Sequence, residues 1–184
     1  MIVCVGWGSL VWCQKSLPVA GGWKTEGPRL PVEFARESID KRITLVICEG
    51  SPVVQVLWAR LDVSTLNDAR QALAAREGIK DHNLQYSVGY WSLSTASNHH
   101  GGSAVGEWAA ARGFEGAVWT ALKPRINGEN RVPSEKEVIE HLDGLSGTAR
   151  DSAEEYVRLA PRQIATPYRT AIETAFGWTA AGFL

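Results

Sequence analysis

Long hydrophobic runs are missing from this chain: none approaches the roughly 18 consecutive apolar residues that a membrane-spanning helix requires. A charge excess of either sign is missing too. Lysine and arginine number 19 against 20 aspartate and glutamate, so no strong field draws the protein to nucleic acid or an anionic membrane. The expected partner is a small molecule, with no nucleic acid and no membrane. Cysteine is scarce. Cys4, Cys13 and Cys48 form an odd set without a C-x-x-C pair, and two of them sit in apolar runs, the pattern of small buried thiols in a reducing compartment. No basic segment precedes the apolar N-terminal run, so the expected location is cytoplasmic. Repeats, low-complexity tracts and long linkers are absent as well. Residues 1–184 are therefore read as a single domain, and 45% hydrophobic content at this length suffices for one core.

What is present begins at the N-terminus. Ile2, Val3, Cys4 and Val5 read as a buried strand, and the run VGWGSL from Val5 to Leu10 follows it with Gly6 and Gly8 two residues apart. Glycines in such a turn let a ligand approach the backbone, whose amides can converge on a carboxylate or phosphate. The dinucleotide fingerprint is incomplete, because its third glycine is replaced by Val11 and no periodic helix follows. A Walker loop is absent, and Ser9 lacks the second glycine of a nucleophile elbow. Eight tryptophans are spread over the whole chain, which assigns them to core and pocket walls.

The first half is rich in β-branched and aromatic residues. Residues 31–38 and 41–48 are expected to be consecutive antiparallel strands, and 53–61 a third. The period then changes to three and four: Leu66, Ala69, Ala72 and Leu73 predict a helix with Ser64 as N-cap, ending at Arg76-Glu77 before Gly78. Residues 83–93 return to strand composition, with Gly89 marking a bulge or a close approach. A helix over 104–113 and a strand over 115–124 follow. The last third is helical, with capping boxes at Ser134/Glu137 and Thr148/Asp151 and a third helix from Thr166-Pro167 to Gly177.

Glu77 stands out among the acids. It lies where the partial negative charge of a helix C-terminus disfavours another carboxylate, so it is either an exposed partner of Arg76 or Lys80 or a general acid/base. VGWGSLVW, then FARESIDKRITLVI, then VLWARLDVSTLNDARQALAAREG followed by an expected strand with Tyr86 resembles the gamma-glutamylcyclotransferase-like family over residues 1–122. The family shows a Tyr-Gly-Ser turn after its first strand and a helix ending in Glu-Gly or Arg-Glu. The resemblance implies an α+β fold: a small mixed β-barrel flanked by helices, here with a helical extension over 125–184. It implies that Gly8, Ser9 and Leu10 hold the α-carboxylate of a γ-glutamyl compound beside Trp7, and that Glu77 is the catalytic acid/base. No cofactor and no metal are expected. Arg36, Ser38 and Arg42 lie in the matching middle segment and are candidates for a substrate carboxylate, or else a solvated strand face. Alternation places Arg36 and Ser38 on one face. Trp7 replaces the family's tyrosine and lacks its hydroxyl, so any role of that hydroxyl is either absent or supplied elsewhere, with Tyr86 and Tyr90 as candidates. Two alternatives remain open: a non-catalytic binding or interaction module on the same fold, and a metal-dependent hydrolase using Asp81, His82, His99 and His100.

Overall fold

The computed structural model describes residues 1–181. In chain order they form β1 (Ile2–Gly6), β2 (Val19–Lys24), β3 (Arg29–Leu30), β4 (Val32–Glu37), β5 (Ile43–Ile47), β6 (Val54–Gln55) and β7 (Leu57–Leu61). There follow α1 (Leu66–Glu77), a 3-10 turn (Asp81–Asn83), α2 (Leu84–Ser87), β8 (Val88–Ser92), α3 (Gly102–Ala111) and β9 (Gly116–Thr120). The C-terminal helices are α4 (Glu135–Asp143), α5 (Gly147–Leu159) and α6 (Pro167–Phe176). The fold is mixed α+β, with the last third helical as expected. Among these residues no helix is long and apolar enough to cross a membrane.

The chain divides into two compact units. The first comprises 1–6, 13–30 and 55–122, and the second 7–12, 31–54 and 123–184. The first is built on a five-stranded sheet in the order β2-β7-β1-β9-β8. β1 pairs antiparallel with β7 and parallel with β9. Every residue of β1 is buried, as befits a central strand covered on both faces. α1 and α3 pack on β8 and β9. The expected barrel is not closed among the described residues: β2 and β8 end the sheet without pairing to each other.

Several local expectations change for physical reasons. The N-cap of α1 is Thr65, not Ser64, because three residues on from Thr65 stands Asp68, whose carboxylate completes a reciprocal box. Three on from Ser64 is only Asn67. The strand expected over 53–61 is broken at Val56, whose backbone bonds to the loop at Gly27 and Pro28 instead. β2 escapes the sequence pattern because Gly21 and Gly22, both at positive φ, interrupt its pairing register. Residues 81–87 are helical, so only the second half of 83–93 is a strand.

Gly89 marks a close approach and not a bulge. Its pairing register with β9 is unbroken, and a Cβ there would stand 2.3 Å from the ring of Trp119. Trp119 is fully buried and donates from Nε1 to the His100 carbonyl at 3.0 Å, which fixes the ring. Gly89→Ala is therefore expected to destabilise the protein by about 1–3 kcal/mol through overpacking. Urea unfolding checks this, and an unchanged midpoint would contradict the contact.

The second unit pairs β4 with β5 as the expected antiparallel hairpin, with an irregularity between Phe34 and Arg36. α6 packs on β4 and on α4, and α5 on β5. The Ser134/Glu137 capping box forms. The Thr148/Asp151 box does not, because Gly147, at φ 53°, turns the chain into α5 from Ser146 and leaves Thr148 inside the first turn. Thr166 caps α6, with Pro167 in its first turn and Gly177 left-handed at its end. Glu33 is buried beneath this helix start. Its carboxylate accepts from the Thr166 hydroxyl and from the amides of Phe34 and Tyr168. Burial pushes its proton affinity above the ordinary carboxylate range against these hydrogen bonds.

Candidate functional site

α1 delivers Glu77 as its last residue because Gly78 takes the left-handed conformation (φ 67°) and ends the helix. The carboxylate is not the exposed surface partner that helix ends usually carry. Its side chain is 19% exposed and pairs with Arg76, whose own side chain is 5% exposed, at 2.7 Å. Arg76 donates from Nε and Nη2 to the Cys13 carbonyl, at 3.2 and 2.5 Å, leaving Nη1 for Glu77. A buried arginine with its fork on a backbone oxygen cannot follow a wandering carboxylate, so Glu77 is held in place. Lys80 takes no part in this pair. The α1 terminus also reaches β1: burial first and Glu77 second push the Cys4 thiol well above the ordinary range, against the pull of Arg76.

The glycine turn belongs to the second unit. The Val11 amide donates to the Gly8 carbonyl at 3.0 Å, closing a turn with Ser9 and Leu10 at its centre. That amide is spent within the turn. Trp7 is buried and donates from Nε1 to the Leu45 carbonyl at 3.1 Å, a bond that fastens the turn to β5. The Leu45 amide in turn donates to the Tyr156 hydroxyl at 3.1 Å. That hydroxyl lies where a Cβ on Gly8 would be, 2.5 Å away, so only glycine fits beneath it. Trp12 meets Tyr156 edge-on at 5.3 Å between centroids. Nothing in the sequence tied Tyr156 to the turn.

The other candidates divide. Arg36 donates from Nη1 to the Lys123 carbonyl at 2.6 Å, and burial together with Arg125 lowers its pKa. Ser38 lies beyond β4, where its hydroxyl serves Asp40 and the Arg42 carbonyl. The two do not converge, because β4 ends at Glu37 and Ser38 already belongs to the turn, where strand alternation no longer applies. Arg42 differs. Its Nε lies 2.8 Å from Asp40 Oδ2 without the alignment of a hydrogen bond, and its guanidinium carbon stands 5.5 Å from the centre of the Tyr156 ring. Tyr86 lies on α2, not on a strand, and is 68% exposed. Tyr90 is on β8, beneath the Arg70 guanidinium at 4.2 Å and edge-on to His99.

His99 turns Nε2 to the Gln85 carbonyl at 2.9 Å and Nδ1 to the Ser97 hydroxyl at 3.2 Å, occupying both nitrogens. Among the described residues no group of three or more His, Cys, Asp or Glu side chains is placed to hold a metal ion. The three cysteines are free, with Cys4 and Cys48 buried and Cys13 exposed.

No protein-family model and no curated protein matches this chain.

Proposed function

We propose that the protein cyclises a γ-glutamyl compound, releasing 5-oxoproline and an amine or amino acid, with Glu77 as the general acid/base. The observation that carries this reading is the fixed carboxylate at the end of α1: largely buried, yet partly open, and anchored on a buried arginine. Such an arrangement suits proton transfer more than surface charge pairing. The resemblance assigns the α-carboxylate to the turn at Trp7, Gly8, Ser9 and Leu10, within the second unit. The turn's conformation is locked from two sides by Leu45 and Tyr156, so it would not reorganise on binding.

In the reaction the α-amine nitrogen attacks the γ-carbonyl carbon. Glu77 takes the proton shed by that nitrogen, and a tetrahedral centre forms. The bond from this carbon to the leaving nitrogen then breaks as Glu77 returns the proton to it, giving the lactam and a neutral amine. Holding amine and carbonyl in contact supplies much of the acceleration. No cofactor enters this scheme.

The experiment is a panel of γ-glutamyl donors, including glutathione, γ-glutamyl amino acids and γ-glutamyl amines, with 5-oxoproline quantified by mass. At least one donor is expected to react. A silent panel overturns the proposal, and a donor that binds without turning over would favour a binding module instead.

A further inference from the structure

Arg36 carries a positive charge that its protein surroundings do not balance. It is half-buried near the end of β4, and its Nη1 donates to the Lys123 carbonyl at 2.6 Å. Its neighbour is a second arginine. Arg125 runs parallel to β4: its amide donates to the Ala35 carbonyl at 3.0 Å, and its carbonyl accepts from the Glu37 amide at 2.7 Å. That makes Arg36 and Arg125 partners across a parallel bridge, and bridge partners project their side chains to the same side. Burial first and Arg125 second lower the Arg36 pKa, as a like charge within reach does. The acids closest in the chain are engaged elsewhere. Glu37 accepts from Lys41 and from the Asn127 amide, both at 2.7 Å, and Glu129 pairs with Arg131 at 2.8 Å. Among the described residues no carboxylate pairs with Arg36 or Arg125, and no hydrogen bond uses Nε or Nη2 of Arg36 or any side-chain nitrogen of Arg125. Both arginines belong to the second unit.

A half-buried guanidinium beside a like charge, with no acid to offset either, is an unfavourable arrangement that an anion relieves. Two adjacent guanidinium forks suit one ligand with two negative charges and several acceptor oxygens. A carboxylate brings a single charge. A phosphate monoester brings close to two near neutral pH, spread over three oxygens. We propose that Arg36 and Arg125 together bind a phosphate dianion, either free or as the phosphate group of a small organic ester. The site stands whether or not Glu77 cyclises a γ-glutamyl compound.

Calorimetric titration of the full chain with inorganic phosphate, phenyl phosphate and acetate, at matched ionic strength, is the test. The phosphates are expected to bind at least about 10-fold more tightly than acetate, and Arg125→Gln to weaken them by about 10- to 100-fold, the usual contribution of hydrogen bonds to a charged group. Arg125→Lys should recover part of the loss. Arg125 is exposed and hydrogen-bonds only through its backbone among the described residues, so the glutamine variant is expected to fold. Without ligand it should melt no lower than the parent, because a repulsion on Arg36 is removed. Phosphates that bind no better than acetate overturn the site, as does equal phosphate affinity in wild type and Arg125→Gln. A ligand-free variant that melts well below the parent overturns it too, by showing that the second guanidinium supports the fold as it stands. Tighter binding of phenyl phosphate than of inorganic phosphate assigns the site to an organic ester, and equal or weaker binding assigns it to the free anion.

Discussion

Glu77→Gln is expected to lower the rate of 5-oxoproline release by roughly two to four orders of magnitude, the ordinary contribution of a positioned proton-transfer group. The substitution is nearly isosteric. The amide oxygen can still accept from Arg76 Nη1, while Nε and Nη2 keep the Cys13 carbonyl. The scaffold around the residue therefore survives, and what is lost is the capacity to take up and return a proton. Steady-state assay on the best donor of the panel, with a circular dichroism melt of both proteins, separates chemistry from folding. A variant within tenfold of the parent would remove Glu77 from the mechanism. A variant that melts far below the parent would instead show that the Arg76 pair supports structure first.

The largest effect on stability is expected at Arg169, which the chemistry does not use. Its side chain is 4% exposed and ends in five contacts: Nη1 donates to the carbonyls of Pro161 and Ile164, Nη2 to those of Val157 and Ala160, and Nε to Glu173. Burial pulls its pKa down while Glu173 opposes the shift. The guanidinium supplies donors to the carbonyls that α5 leaves unsatisfied at its C-terminal end. Arg169→Met fills similar space and strands those oxygens, with Glu173 losing its cation. The expected cost is about 3–5 kcal/mol, a fall of roughly 6–20 °C in Tm for a chain of this size. Lys136, paired with Glu140 in full view of solvent, is the control. Its alanine variant should melt with the parent. Equal melting of all three proteins would show that the Arg169 network contributes no net stability.

Much of the architecture was legible because local chemistry and tertiary packing agree. Ser134 with Glu137, Thr166 with Pro167, and Gly78 and Gly177 at helix ends all do in the fold what their short-range signals say. Misplacement came where two neighbours compete for one role, as Ser64 and Thr65 do, or where glycine hides a strand, as Gly21 and Gly22 do in β2. The candidate site was less legible for a different reason. Gly8 announces itself in the sequence, but the reason it must be glycine is the hydroxyl of Tyr156. Trp7 looks like the loss of a phenol until its N–H is found on the Leu45 carbonyl. Arg36 and Ser38 share a parity that predicts a common face, but the strand ends at Glu37, between them. No periodicity carries such information, because each case depends on a partner far along the chain.

The fastening of the N-terminal turn also constrains how the molecule is made. Leu45 and Tyr156, which clasp the turn between them, are 111 residues apart. At synthesis rates of roughly 5–20 residues per second, the ribosome needs about 6–22 s to pass from one to the other. For that interval the turn has left the exit tunnel without its clasp, and the β4–β5 hairpin without the helices that cover it. Such long-range closure slows folding and leaves apolar strand surface open to wrong partners. A ribosome paused before α5 would hold a nascent chain whose N-terminal turn was translated earliest and completed last.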